Sequence, residues 1–391
     1  MLADIIPSVM NMLLERYADV IIRRALRLRE GDVLSINTEE ENADLATLIA
    51  RKAKEITGNG SYIQNIENGK VTETTEAATD FPIEKKPTVL LYLPVYKEYE
   101  ETEEGKLYSA PEIQKYRLLS EPLDNSDPVI PFAAAPVPSV LWGKAIDDEE
   151  DASLPYSVLT ELLALDEDDY LSESDDEDIL LYECEELNKK NLTRCRIQDE
   201  EGTDISFSFL PGSEFRTTIS KLQNGRRFNP TIFASDIFRA IDKNSAEGYF
   251  TITRPFMLFG KRISALSCSV SEGRITDFSA DERSGKLFEL YLMQDQGAGR
   301  VSELSIAEEN TKASDIDYFA LPEWDRMRGV SITIGGPKPE SLRTDEARSN
   351  ANDSLVTLSL PIGSDTTVIT AYDEEGNEYT IAEDGFITEE D

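Results

Sequence analysis

Residues 228–255 read FNPTIFASDIFRAIDKNSAEGYFTITRP, and the rest of the chain is organised around this stretch. A turn is predicted at residues 242–244, where Asp, Lys and Asn follow a short apolar run. Glu247-Gly248 then begins a strand-like run that ends at Arg254-Pro255. Glu247 is therefore a carboxylate at the mouth of a strand, beside a flexible glycine. Such a carboxylate can ligate a metal, act as a base or cap a turn.

The first half of the chain alternates between helical and strand-like patterns. Amphipathic helices are predicted over residues 10–30 and 42–57, and short strands over residues 33–36, 61–66 and 88–95. This alternation predicts a βαβ unit and a largely parallel sheet. Residues 128–140 are apolar but rich in proline, so they predict a sheet edge or a loop.

The second half is rich in short strand patterns separated by Gly, Asp, Asn or Pro. Helices are predicted among them at residues 284–294 and 298–304. At 391 residues the chain is long enough for two cores. We predict an α/β domain over residues 1–188 and an α+β domain with a curved mixed sheet over residues 189–391.

The charge balance limits the classes of partner. The chain carries 39 Lys and Arg against 77 Asp and Glu, a net charge of −38. Such a surface repels phosphate backbones and anionic lipid, so neither nucleic acid nor membrane is an expected partner. A basic peptide or basic protein is compatible with it, although high charge also serves solubility alone.

The chain contains no histidine. This excludes histidine bases, histidine-containing triads and every histidine-ligated metal site. The three cysteines, Cys184, Cys195 and Cys268, form no CxxC pair and indicate neither a disulfide framework nor a structural zinc site. The amino-terminal segment has no basic leader and makes a poor signal peptide, so we expect a cytoplasmic protein.

Several segments resemble the aminopeptidase T and aminopeptidase S (PepS) family of metallo-aminopeptidases, in the order in which that family has them. They are ERYADVIIRRALRLREGDVLSI at 15–36, EGTDISF at 201–207, the 228–255 stretch, EGRI at 272–275, GRVSE at 299–303 and NDSLVTLSLPIGSD at 352–365. Residues 75–185 carry little of the resemblance. The resemblance implies the aminopeptidase T fold and a homodimer.

The resemblance also implies a site in which two glutamates, two histidines and an aspartate hold two divalent ions, usually zinc or cobalt. Carried over position by position, these ligands fall on Glu247, Glu303, Ser331, Thr357 and Ser359. Only Glu247 and Glu303 keep a metal-binding side chain. Lys338 stands where an assisting tyrosine is expected, and Asp236 stands where the family usually has glutamate. Arg254 or Lys338 could compensate the charge of the two glutamates.

Serine and threonine hydroxyls are neutral, weak ligands that cannot replace imidazole and carboxylate. We therefore expect no cofactor and a catalytically degenerate homologue that binds peptides or acts in assembly. The alternative is an active leucyl-type aminopeptidase with a rebuilt zinc or cobalt site. A different nucleophile, Ser359 or Cys268 with Lys338 as base, also stays open. A purely structural acidic protein is the third class.

Overall fold

The computed structural model describes residues 2–38, 42–67, 70–94, 130–147, 151, 153–172, 176–222, 224–232, 235–309, 312–313 and 316–388. They form two compact units. The first lies within residues 1–98, 114–174 and 218–234, and the described part of the second lies within 175–217 and 235–391. Residues 218–234 follow the predicted boundary at residue 188 and nevertheless belong to the first unit. The division at residue 188 stays a prediction.

The sheet of the first unit is largely parallel. Its strands are β1 (Leu34–Thr38), β2 (Ser61–Glu67), β3 (Lys70–Ala77), β4 (Val89–Leu93) and β5 (Phe132–Ala134). The order is β3-β2-β1-β4-β5, and only the β2–β3 pair is antiparallel. The predicted strands at 33–36 and 88–95 are therefore neighbours in one sheet. The proline-rich run contributes β5 at the edge, where few backbone N–H groups are needed.

The helices of the first unit pack apolar faces inward. They are α1 (Leu2–Asp19), α2 (Ala43–Thr57), α3 (Val140–Ile146) and α4 (Leu154–Leu163). The α1 helix widens into a π-helical turn, Val20–Ala25, so the helical segment ends earlier than the predicted 10–30. Helix α2 ends at Gly58, whose φ of +72° is the left-handed conformation that caps helices. Among the residues described, no helix combines the length and apolar character that crossing a bilayer needs.

The remaining strands and helices follow in chain order. The strands are β6 (Arg194–Gln198), β7 (Asp204–Ser208), β8 (Arg216–Thr217), β9 (Ser220–Lys221), β10 (Arg227–Phe228), β11 (Asp236–Ala240), β12 (Glu247–Thr251), β13 (Phe256–Leu258), β14 (Lys261–Ile263), β15 (Ser267–Ser271), β16 (Arg274–Ser279), β17 (Val301–Ala307), β18 (Ser331–Gly335), β19 (Thr357–Pro361), β20 (Val368–Tyr372), β21 (Glu378–Glu383) and β22 (Phe386–Ile387). The helices are α5 (Asp176–Lys189), α6 (Glu282–Leu292), α7 (Pro322–Asp325) and α8 (Asp345–Asn350).

Two antiparallel sheets make up most of the second unit. The larger has the order β16-β15-β12-β7-β6-β20-β21-β22. Burial alternates along β6, β7 and β15, so this sheet covers a core with one face and meets solvent with the other. The smaller has the order β19-β18-β17-β11-β8. Its strands β11, β17 and β18 are buried on both faces, which places them at the centre of the unit.

One predicted element is wrong in type. Residues 298–304 were predicted as a helix, but Val301–Ala307 is strand β17. Glu and Leu favour helices when they are considered alone. Leu304 and Ile306 alternate with Glu303 and Ser305, however, which is the period of a strand, and all four side chains are buried. Tertiary pairing with β11 and β18 outweighs the local propensity.

Candidate functional site

Two buried carboxylates meet on one face of the five-stranded sheet. Glu303 on β17 lies directly opposite Ala240 on β11. Asp236 lies four residues before Ala240 on the same strand, so its side chain projects from the same face. Both carboxylates are fully buried. Two charges in such a place require a counter-charge or a proton.

The counter-charge is the guanidinium of Arg326. One of its terminal nitrogens, Nη1, donates to Glu303 Oε1 at 3.2 Å, and the other, Nη2, donates to Asp236 Oδ2. Arg326 is only 2% exposed. It comes from a short 3₁₀ turn, Arg326–Arg328, directly before β18. A planar guanidinium with several donors suits this bridging role better than an ammonium does.

Lys338 contributes to the same cluster mainly through its backbone. Its N–H donates to Glu303 Oε2 at 2.7 Å. Its ammonium lies 3.5 Å from Glu323 and 5.0 Å from the centroid of the Phe238 ring. The guanidinium carbon of Arg326 lies 5.2 Å from the same ring. Lys338 therefore holds Glu303 in place through its amide, while its ammonium pairs with Glu323.

Burial and charge act in opposite directions on Glu303. Burial raises the pKa of its carboxyl group, while Arg326, Lys338 and the hydrogen bond from the Lys338 amide lower it; the net direction is upward. Asp236 Oδ2 also accepts a hydrogen bond from the Ser305 hydroxyl at 2.7 Å. Its other oxygen, Oδ1, is buried and has no hydrogen-bond partner among the described residues. That oxygen is an unused acceptor inside the cluster.

The adjoining half of the sheet face is neutral. Ser331 on β18 donates its hydroxyl hydrogen to the carbonyl oxygen of Arg326 at 3.4 Å. Thr333 on β18 is flanked by Glu303 on β17 and by Ser359 on β19, its direct partners in the two neighbouring strands. Thr357 precedes Ser359 by two residues and is half-buried on the same strand. Ser331, Thr357 and Ser359 thus share a sheet face with Glu303, but they supply hydroxyl groups alone.

The structure does not bring Glu247 to this sheet. It is exposed on β12 in the eight-stranded sheet, where its Oε1 accepts a hydrogen bond from the Glu272 amide at 2.7 Å. Gly248 has a φ of +128°, and a β-carbon there would lie 2.1 Å from the carbonyl oxygen of Asp204. The Glu-Gly pair therefore fits the close approach of β12 to β7. Arg254 lies in the segment between β12 and β13.

The two alternative nucleophiles, Cys268 and Ser359, lie in different sheets. Burial raises the pKa of Cys268 to about 12, so its thiol is not ionised near neutral pH. Cys268 pairs with Phe250 in the eight-stranded sheet, away from the strand that carries Ser359. Ser359 lies opposite Thr333 in the smaller sheet and shares a hydroxyl–hydroxyl hydrogen bond with it.

The sequence interpretation missed the role of Arg326 and ranked Asp236 as auxiliary. Arg326 is separated from Asp236 by 90 residues and from Glu303 by 23. The local signal is weak: Arg326 is one of two basic residues in the short turn that precedes the strand carrying Ser331. In the part of the chain that the structure describes, no three acidic or cysteine side chains are grouped so that they could hold a metal ion.

Comparison with known proteins identifies the family. The sequence matches the thermophilic metalloprotease (M29) family over residues 124–386, about two thirds of the chain. The chain belongs to the M29 peptidase family. It is 21% identical to aminopeptidase 2 of Geobacillus stearothermophilus over 95% of this chain and 97% of that protein. It is 22% identical to aminopeptidase T of Thermus aquaticus over 63% of this chain and 62% of that protein.

Solved structures support the M29 fold. Wild-type AmpT from Thermus thermophilus superimposes with a TM-score of 0.77 at 17% identity, covering 96% of this chain and 99% of that one. A 2,5-dihydroxypyridine dioxygenase from Pseudomonas putida KT2440 matches with a TM-score of 0.54 at 12% identity, covering 96% of each chain. The predicted aminopeptidase T type of fold is confirmed. Because the second protein is a dioxygenase, this fold alone does not fix a chemistry.

Membership of M29 corrects one prediction. The sequence led us to expect no cofactor, and that prediction is wrong, because the family is one of metalloproteases. A divalent metal, which was our alternative, is consistent with the family and with its aminopeptidase members.

The residues of this M29 chain do not, as they are arranged, fit a pair of zinc or cobalt ions. Such ions favour imidazole and carboxylate ligands, and the chain has no histidine. The two buried carboxylates of the cluster are already bridged by the guanidinium of Arg326.

Proposed function

We propose that this chain is a catalytically degenerate member of the M29 family that binds peptides or a basic protein surface and does not hydrolyse peptide bonds. The observation that carries the proposal is the bridge that Arg326 makes between Asp236 and Glu303. It rests equally on the hydroxyl groups of Ser331, Thr357 and Ser359 at positions where the family resemblance implies metal ligands.

Metal-assisted hydrolysis needs a water molecule that is acidified by a metal and placed beside the scissile carbonyl. Carboxylates that are paired with a buried guanidinium are poor partners for such water, because their charge is already compensated. A guanidinium, which stays protonated in proteins, also cannot serve as a general base. The described cluster therefore lacks a group that is suited to generate the nucleophile.

Charge supports the choice of partner. A net charge of −38 attracts cationic peptides and raises their rate of association at low ionic strength. The structural match to AmpT extends over 96% of the chain, so the scaffold on which a binding cleft would be built is retained. We also propose a homodimer, on the family resemblance alone.

A second candidate is an active leucyl-type aminopeptidase with a rebuilt metal site. The unpartnered, buried Oδ1 of Asp236 favours it, because it leaves one carboxylate oxygen available to a cation. Activity would then require Arg326 to move away from both carboxylates.

The two candidates are separated by an assay of the purified chain, with zinc or cobalt added, on a chromogenic leucine amide that releases a coloured amine when it is hydrolysed. We expect no release above the level of a Glu303→Gln variant, with an active M29 aminopeptidase as the positive control. Release that Glu303→Gln abolishes would establish the second candidate. A triple variant, S331H/T357H/S359D, restores the ligand types of the family and serves as the constructive arm, read by metal uptake.

Peptide binding is tested separately by fluorescence anisotropy. A Lys/Arg-rich peptide and an Asp/Glu-rich peptide of equal length are titrated with the chain at low and at moderate salt. We expect binding of the basic peptide alone, weaker at moderate salt. Equal binding of both peptides, or of neither, would contradict the proposed role.

A further inference from the structure

We infer that Arg326 competes with a divalent cation for the carboxylates of Asp236 and Glu303, and thus acts as an internal counter-ion at the family's metal region. This inference concerns cation binding and goes beyond the proposed function. It would hold whether or not the chain hydrolyses peptides.

The two terminal nitrogens of one guanidinium contact two different carboxylates on adjacent strands, one oxygen each. Since one small planar group pairs with both, the two carboxylates converge on the space that the guanidinium fills, and a cation held by either oxygen would enter that space. The cation and the guanidinium would then occupy the same space and exclude each other.

Asp236 is fully buried, and its Oδ1 has no hydrogen-bond partner among the described residues. A buried carboxylate oxygen without a partner is costly, and most such groups in proteins are satisfied. Arg326 therefore satisfies the charge of the pair but not all of its acceptors, which leaves an oxygen that a cation could use.

With Arg326 removed, the cluster offers oxygens of Asp236 and Glu303 and the hydroxyl oxygen of Ser305, which lies 2.7 Å from Asp236 Oδ2. All are hard oxygen ligands, which suit manganese, magnesium or calcium better than zinc. Glu303 keeps one oxygen engaged by the Lys338 amide, so its orientation does not depend on Arg326.

Isothermal titration of Mn²⁺ into the intact chain tests the inference. We expect the R326M variant to bind Mn²⁺ at least tenfold more tightly than the unchanged chain. The matched control is R239M, which removes another buried arginine from β11 itself. Arg239 lies over the rings of Phe209 and Phe215 and donates to the hydroxyl of Ser213, so its loss should leave Mn²⁺ affinity unchanged.

A combined variant, D236N/E303Q/R326M, keeps side chains of similar size at positions 236 and 303 but removes both carboxylate charges. The gain in affinity should disappear in it. Persistence of the gain would overturn the inference, because the ion would then bind elsewhere. Equal affinity of R326M and the unchanged chain would overturn it as well.

Loss of the buried arginine could also unfold the chain, so a second readout is included. If R326M is unfolded without metal, Mn²⁺ should restore folding or raise the midpoint of thermal unfolding, and should not do so in the combined variant. R326K keeps a positive charge without the guanidinium fork and should show a smaller gain in affinity than R326M. If Mn²⁺ neither restored the folding of R326M nor bound R326K more tightly than the unchanged chain, competition between Arg326 and the cation would be refuted. None of these readouts depends on hydrolysis, so failure here is distinguishable from failure of the proposed function.

Discussion

The hydroxyl oxygens of Thr333 and Ser359 lie 3.0 Å apart on the neighbouring strands β18 and β19. Thr333 is in turn directly opposite Glu303 on β17. One row across the sheet therefore passes from a buried carboxylate to a neutral pair of hydroxyl groups. The charged half of this face, on β11 and β17, is compensated by Arg326, and the half on β18 and β19 needs no compensation. This division shows how the chain's own residues compensate the charge on this buried sheet face.

The bridge should matter for stability. Arg326→Met removes the counter-charge of two buried carboxylates, and breaking a buried ion pair from one side typically costs about 3–5 kcal/mol. We expect a loss of that order in the free energy of unfolding, measured by urea denaturation. The combined variant D236N/E303Q/R326M should recover much of the loss, because no uncompensated charge is left. A loss below about 1 kcal/mol in R326M would contradict this account.

The two glutamates of the family pattern should differ in their effect. Glu247→Gln should change the free energy of unfolding by less than about 0.5 kcal/mol, because the side chain is exposed and Gln keeps the acceptor for the Glu272 amide. Glu303→Gln should cost about 1.5–3 kcal/mol, because it removes the charge that pairs with Arg326 and places an NH₂ group against one of the two donors that Glu303 now satisfies. Both are measured in the same urea series. Equal effects of the two substitutions would contradict the different placement of these residues.

Asp325 should make stability depend on pH. Burial raises the pKa of its carboxyl group from 3.8 to about 6, against the opposing effects of Arg328 and the amides of Phe319 and Leu321. The folded chain therefore holds a proton that the unfolded chain releases. The resulting stabilisation is fully present below about pH 4 and is lost as pH rises to about 6, which amounts to roughly 3 kcal/mol at this site.

The measurement is the difference in unfolding free energy between pH 4 and pH 7. Asp325→Asn removes the titrating group, so relative to the unchanged chain the variant should gain as pH rises. The control is Asp281→Asn. Hydrogen bonds from Ser284 lower the pKa of Asp281, so its contribution has the opposite sign. If the unfolding free energy of D325N fell relative to that of the unchanged chain as pH rises, the upward pKa shift of Asp325 would be wrong.

The homodimer, expected from family resemblance, is tested by light scattering. At micromolar concentration and moderate salt we expect a mass twice that of one chain. With −38 charges on each chain, the contact should use a surface that is poor in acidic residues, and residues 205–259 are the least acidic long stretch. Lower salt should therefore weaken the dimer. A mass of one chain under these conditions would refute it.

Local patterns were sufficient for much of the fold. The predicted strand at 33–36 and the predicted helix at 42–57 correspond to β1 and α2, because amphipathic spacing and a glycine cap act within a few residues. Strand β17 was misread because its Glu and Leu residues favour helix when they are considered alone. Strand β11 was not predicted, since its charged residues interrupt the apolar pattern although all five side chains are buried.

The sequence by itself determined the absence of imidazole chemistry, the strong negative charge and the family resemblance, because each follows from which residues are present and in what order. The tertiary structure alone decided that Asp236 rather than Glu247 lies beside Glu303, and that Arg326 joins the two. These residues are separated by 23 to 90 positions, and their contact is set by strand register and by the turn before β18. The partner of a buried carboxylate is the basic residue that the fold places beside it, and no local sequence pattern specifies which residue that will be.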